Sequence, residues 1–307
     1  MNAFAVQLAH LPHLGEYLAL ASAVTWAIAV IMFRVSGRTV SPIGLNLFKN
    51  VFALLLFLAI MPVLGRKVLP AASSGDCALL LASGFLGIAV SDTLFLTALN
   101  TLGASFLAIV DCVYSPFIIV LSYFFLGERL NIWQLAGVLL IAAAIGLLAW
   151  KSPGENGTIP RRDLVRGIVL GILAMLTVAI GIVMIKPMLA HTDVFWATSM
   201  RLVGGIGGLI LVLPFHPRRR EILLSLAVPA NWKSMVPASF FGSFLSLLFW
   251  VAGMKYTLAT VAAVLNQMNV IFIFILAAVF LKEKASPWKI FAVVLAFLGA
   301  FLASFPG

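Results

Sequence analysis

Four side chains that carry full charge lie within long apolar stretches of this sequence: Lys49, Asp92, Asp111 and Arg201. An ionised group at mid-bilayer costs from about 2.5 kcal/mol on insertion scales to far more in simulations, so each needs a partner, water or a ligand. Two cations and two anions sum to zero, so neutral pairing is open to them, and the sequence leaves open which meets which. Asp111 is followed at i+3 and i+4 by Tyr114 and Ser115, a polar helical face that can line a wet cavity. Asn266, Gln267 and Asn269 form a second polar cluster. Amides there would hold a zwitterionic or polyhydroxy ligand without adding charge, or act as interhelical glue worth about 0.6 kcal/mol each. Lys49 and Arg201 sit near enough to the ends of their stretches to snorkel to water, which is the alternative to a role in a site. Asp92, in VSDTLFL, is either the counter-ion of Lys49 or a proton carrier. Trp26 and Trp250 lie inside their stretches, whereas tryptophan ordinarily marks the membrane interface; they either face a cavity or pack against lipid and neighbouring helices.

The elements that must position these residues are set by composition. Of 307 residues, 63% are hydrophobic and 10% charged, and the mean hydropathy is +1.15, far from the charge-rich surface of a soluble domain. The apolar stretches run Gly15 to Phe33, Pro42 to Leu64, Asp76 to Leu99, Ala104 to Leu126, Ile132 to Trp150, Gly167 to Ile185, Val194 to Leu213, Val236 to Met254, Thr260 to Leu281 and Pro287 to Phe305. Each is near the roughly 20 residues that cross a hydrocarbon core as a helix. They lack period-2 alternation, and backbone polar groups in lipid must be satisfied internally, so helices are expected rather than a barrel. The expected fold is an all-α membrane protein. The net charge of +10 sits in short loops beside these stretches and reads as a topology signal, not as a nucleic-acid surface.

Several chemistries find no motif. Cys77 and Cys112 give neither a disulfide framework nor a CxxC site. His10 and His13 have one metal-compatible spacing but no further ligand nearby, so no metal or other cofactor is expected. No GxxxxGK[ST] segment occurs, which argues against direct ATP hydrolysis. The first stretch lacks a small-residue cleavage site behind a short apolar core and is expected to belong to the mature protein.

The second half repeats the first. An offset of 152 pairs Gly15 with Gly167, Thr25 with Thr177, Met32 with Met184, Arg34 with Lys186 and Lys49 with Arg201. Later the offset is 155, pairing Gly87 with Gly242, Ala104 with Ala259, Phe117 with Phe272, Glu128 with Glu283 and Trp133 with Trp288. It also sets Asn266 against Asp111, Asn269 against Tyr114 and Leu247 against Asp92. Five stretches per half is an odd number, so the second half enters the membrane from the opposite side: ten transmembrane helices as two inverted five-helix repeats. The halves are expected at 15–150 and 166–305, joined by a polar linker at 151–165 that contains KSPGENGTIPRRD and does not separate them into independent folding domains. Gly167/Gly171 and Gly204/Gly208 have GxxxG spacing, which serves close helix packing within a bundle or a dimer.

Each half carries a fourth stretch ending in an acidic turn, SPFIIVLSYFFLGERLNIWQLAG in the first and NVIFIFILAAVFLKEKASPWKIFA in the second. On these segments and the repeat, the chain resembles the ten-helix, EamA-like branch of the drug/metabolite transporter superfamily over essentially its full length. Pro116, Gly127 and Glu128 match the family pattern, while Ile271 and Lys282 replace the Pro and Gly in the second half. The resemblance implies a central cavity lined by helices one to four and six to nine, with five and ten peripheral. It implies export or exchange of small metabolites such as amino acids by alternating access, driven by protons or a counter-substrate, with no enzymatic step. Candidate substrate-binding residues are Trp26, Lys49, Asp92, Asp111, Tyr114, Ser115, Arg201, Trp250, Asn266, Gln267 and Asn269. Pro116 should kink the fourth helix, as a gating hinge or a static bend. Glu128 and Glu283 read as interfacial ion-pair or capping residues that fix their turns. The expected partners are the lipid bilayer and a small solute, in a monomer or homodimer of a bacterial inner membrane. A membrane-embedded lipid-modifying enzyme is the reading from another class, but such an enzyme needs clustered carboxylates or histidines, and here carboxylates are scattered singly; a channel or scaffold is a third reading. The positive-inside rule, with five Lys and Arg on the side of the termini and thirteen opposite, places both termini outside the cytoplasm; the resemblance implies termini inside.

Overall fold

The computed structural model describes residues 13–68, 73–126, 131–151, 159–189, 191–257, 262 and 265–303. His10, Gly127, Glu128, Ala259 and the middle of the linker lie outside them. Among the described residues there is no strand. Among the described residues seven helices are long and apolar enough to cross a membrane: α1 Leu14–Ser36, α2 Pro42–Val63, α3 Ser74–Leu102, α4 Ala104–Phe125, α6 Arg161–Val183, α7 Val194–Phe215 and α8 Pro229–Tyr256. The other apolar helices are α5 Ile132–Lys151, α9 Asn269–Phe280 and α10 Pro287–Ala303.

Local chemistry sets the helix starts. Ser41 accepts from the Gly44 amide with Pro42 at the first helical position, Ser73 accepts from the Asp76 amide, and Asp193 accepts from the Trp196 amide. Two boundaries differ from the hydropathy reading. α6 begins at Arg161, inside the expected linker, because Pro160 starts the helix and Arg161, Arg162 and Asp163 form a polar first turn that hydropathy passes over. α8 begins at Pro229, not Val236, for the same reason, and a short helix, Arg219–Ala227, precedes it.

Most contacts join the halves rather than separate them. α1 packs against α8 and α9, α3 against α6 and α7, and α4 against α6 and α9, whereas α5 and α10 pack chiefly against each other. Glycines permit the closest crossings. A Cβ on Gly84 would lie 1.9 Å from the Arg201 carbonyl oxygen, and one on Gly204 would lie 2.2 Å from that of Leu81, so α3 and α7 meet backbone to backbone. Gly208 seats on Phe85, and Gly167 and Gly171 seat on Leu102 and Val110. Both GxxxG pairs therefore serve packing within the bundle. Large apolar side chains such as Leu55, Phe124, Phe125, Leu211 and Val279 point outward; hydrocarbon accommodates this surface at no cost, whereas water would not.

The helices nearest the middle of the bundle are irregular, and the irregularities repeat. A π turn interrupts α3 at Phe85–Val90 and another interrupts α8 at Phe240–Ser246, equivalent positions at the offset of 155. α4 breaks at Cys112–Val113, where the Val113 amide bonds the Val110 carbonyl and the Ser115 amide the Cys112 carbonyl. The equivalent Gln267–Met268 turn precedes α9, with Met268 bonding Leu265 and Val270 bonding Gln267. The distortion expected at Pro116 thus falls four residues earlier, at the carbonyl that proline's missing N–H leaves free, and Pro116 itself sits in the first turn of the resumed helix. Ile271 replaces proline in the second half, yet the backbone breaks at the matching place. Proline is not what imposes the break.

Candidate functional site

The π turns and helix breaks border a cavity of about 140 Å3 between the two halves. A π turn displaces its carbonyls from the helical ladder, and α2 supplies donors for those in α3. Asn46 donates to the carbonyl of Ile88 at 2.8 Å and to the Thr93 hydroxyl at 3.0 Å, and Asn50 donates back to the Asn46 side chain at 2.7 Å. This lattice orients Lys49, whose Nζ meets Asp92 Oδ2 at 2.5 Å and Asn50 Oδ1 at 3.2 Å. Of the two readings of Asp92, the structure displays the counter-ion of Lys49.

Arg201 enters from the opposite half and is 2% exposed. Its Nε donates to the Ser83 hydroxyl at 3.0 Å, and Ser83 donates in turn to the Gly181 carbonyl at 2.5 Å. The guanidinium lies 5.6 Å from the Trp250 ring centroid, a cation–π contact. A Cβ on Gly87 would come within 3.1 Å of its Nη2, so the glycine in the π turn leaves room for this side chain.

The broken helices are tied across the halves at their breaks. Gln267 Nε2 donates to the Ser115 hydroxyl at 3.0 Å, and Asp111 and Asn269 line the cavity beside this contact. Trp26 closes one wall against Phe95, with ring centroids 5.5 Å apart. Ser22 and Ser246 join α1 to α8 through hydroxyls 3.2 Å apart.

Ten of the candidate residues line this cavity: Trp26, Lys49, Asp92, Asp111, Tyr114, Arg201, Trp250, Asn266, Gln267 and Asn269. Ser115 does not; the turn at Cys112–Val113 resets the helical phase, so the face expected to run from Asp111 to Ser115 is interrupted and Ser115 goes to the α4–α9 contact. The sequence reading missed Asn46 and Asn50, which the spacing Asn46, Lys49, Asn50 places on one helical face and could have revealed. It also missed Ser83, Ser91 and Ser243, for which single small hydroxyls in an apolar stretch give no signal.

Beyond the cavity, two charged side chains cap helix ends at the face where α1 ends. Arg34 Nη1 donates to the carbonyls of Leu99 and Asn100, at 3.0 and 2.7 Å, closing the C-terminus of α3. Glu283 accepts from the amides of Ala104 and Ser105, each at 3.0 Å, at the N-terminus of α4. Gly103 between them has φ +87° and stands against the Glu283 carboxylate, a conformation that favours glycine. Glu283 therefore acts as a cap, and it does so across the halves. At the other face Arg66 pairs with Asp193, and Lys255 Nζ donates to the Thr192 carbonyl at 3.1 Å. Among the described residues, no three His, Cys, Asp or Glu side chains gather as a metal site would need.

The model of the EamA-like transporter family matches residues 13–150 and again 165–305. A solved crystal structure is similar over 94% of this chain and 96% of its own, at a TM-score of 0.69 and 18% identity, a likeness of fold. No curated protein matches the chain.

Proposed function

The chain belongs to the EamA-like transporter family, within the drug/metabolite transporter superfamily, and we propose that it is a secondary transporter that exports or exchanges small organic solutes, such as amino acids, by alternating access. The observation that carries this reading is the polar cavity between two repeats whose π turns and helix breaks fall at equivalent positions. A site held between like halves can be exposed to either side by rocking one half against the other, with the distorted turns as places where the backbone bends. In this reading the chain spans the membrane ten times as two inverted five-helix halves, 15–150 and 166–305, in a bacterial inner membrane. Trp26, Lys49, Asp92, Asp111, Tyr114, Arg201, Trp250, Asn266, Gln267 and Asn269 face the solute, with Ser115 supporting Gln267. The Glu283 and Arg34 caps fasten one face and the Arg66–Asp193 pair the other, so one set must loosen when the other holds. Protons or a counter-substrate supply the driving force.

The test is reconstitution of the full chain into liposomes and an untargeted counterflow screen over a metabolite mixture. Exchange of at least one solute above empty liposomes, saturable and competed by an excess of the same solute unlabelled, supports the reading. Flux that does not saturate indicates a channel, and no flux removes transport.

A further inference from the structure

The repeat places a cation at the same point in each half, and only one of the two is neutralised. Lys49 has Asp92 at 2.5 Å. Arg201 is its mate, and where the repeat sets the counterpart of Asp92 the second half has Leu247, which lines the cavity. Among the described residues no carboxylate lies within ion-pair distance of Arg201. The guanidinium is nonetheless held firmly, by Ser83 at Nε, the Trp250 face and the space over Gly87, while Nη1 has no hydrogen-bond partner. Six buried side-chain atoms in the described residues lack a partner, and four line this cavity: Arg201 Nη1, Tyr114 Oη, Ser243 Oγ and Asn269 Oδ1. That concentration makes the missing partners a property of the site; outside it, among the described residues, only Ser286 Oγ and Trp288 Nε1 lack a partner.

An unpaired guanidinium away from bulk water is costly, and a bound anion would relieve that cost. Three donors in the cavity are free to receive it, Arg201 Nη1 and the hydroxyls of Tyr114 and Ser243, and Tyr114 lies within electrostatic reach of Arg201, as does Asp92, which is beyond ion-pair distance of Arg201 and paired with Lys49. A carboxylate offers one oxygen to Arg201 and the other to Tyr114. Trp26, Phe95 and Met175 also line the cavity, and their apolar surface suits the remainder of a small organic molecule.

We propose that Arg201, with Tyr114 as second donor, is the anion-recognition residue of the cavity, and that the carboxylate of the solute takes the place that Asp92 takes beside Lys49 in the first half. The proposal rests on the cavity being the solute site. Lys49 and Asp92 neutralise each other and set no charge preference, so solutes bearing a carboxylate are favoured over the same solutes with it masked or removed.

The test is equilibrium binding to the full chain in nanodiscs, with two matched sets of probes: phenylalanine, phenylalaninamide, 2-phenylethylamine and 3-phenylpropionate; and alanine, alaninamide, ethylamine and propionate. The expected result is that a carboxylate-bearing member of at least one set binds, and that its amide and amine bind roughly tenfold to a hundredfold more weakly, the range for one charge-assisted hydrogen bond. Leu247→Asp gives Arg201 the counter-ion its mate already has and should abolish that preference, while Leu247→Asn should not. Arg201→Gln should abolish it too, and if that variant does not fold, the Leu247 pair still decides. Binding of no carboxylate, equal binding of amide or amine, or a preference that survives in folded Leu247→Asp overturns the proposal. Its failure is separable from that of the transport reading: counterflow of uncharged solutes, untouched by Leu247→Asp, keeps transport and removes the anion site, whereas carboxylate binding without counterflow does the reverse.

Discussion

Lys49 and Asp92 should behave as one unit whose halves are costly to separate and inexpensive to remove together. The Lys49 side chain is 5% exposed and that of Asp92 20%, with Asp92 reachable by water in the cavity. Breaking a buried ion pair from one side costs about 3–5 kcal/mol, because the remaining charge is left uncompensated. Asp92→Leu strands the better-buried cation and should fall near the upper end of that range. Lys49→Met strands a carboxylate that water can partly solvate and should fall near about 3 kcal/mol. The double variant Lys49→Met/Asp92→Leu replaces both charges with apolar groups, and places at residue 92 the leucine that the second half has at Leu247. Such replacements are commonly neutral to stabilising, so the double variant should unfold within about 1 kcal/mol of wild type. The assay is reversible unfolding in mixed micelles, followed by tryptophan fluorescence over a full double-mutant cycle. Additive losses, with the double variant weaker than either single one, would refute the pairing. If the pair sets no charge preference, the double variant also keeps the carboxylate selectivity of wild type.

Glu283→Ala removes the two bonds that cap α4 and should cost about 1–3 kcal/mol, with easier labelling of a cysteine placed at residue 101; unchanged labelling and stability would show that the cap holds nothing shut. Gly204→Leu drives a Cβ to 2.2 Å from the Leu81 carbonyl and should prevent folded expression, while Gly207→Leu, with nothing within 4 Å, should express normally by fluorescence-detected size exclusion. Asp111→Asn should keep membrane expression and alter solute affinity or the pH dependence of transport; identical transport from about pH 5 to 8, the range over which carboxylates in clefts titrate, would exclude Asp111 from the solute site. The charge count of loops expects a C-terminal reporter that functions only in the cytoplasm to stay silent, and an active reporter would favour the topology implied by the family.

The sequence by itself determined the solvent, the all-helical class and the two repeats. Runs of apolar residues near membrane length can only be helices in lipid, and that constraint is so strong that most helix ends fall within a few residues of the hydropathy reading. It failed where helices begin in polar residues, at Arg161 and Pro229, because hydropathy does not see a helix outside the hydrocarbon. Charged and amide candidates in the apolar stretches account for seven of the eight charged and amide residues that line the cavity, since a polar group there has few places to go except an internal site. Tertiary structure decided the pairings. Lys49 lies 43 positions from Asp92, and Gln267 lies 152 from Ser115, distances over which no local rule operates. The π turns left no trace in hydropathy, and the break before α9 occurs without the proline that marks its counterpart. The sequence showed that Arg201 matches Lys49; only the fold showed that one has a counter-ion and the other an open Nη1.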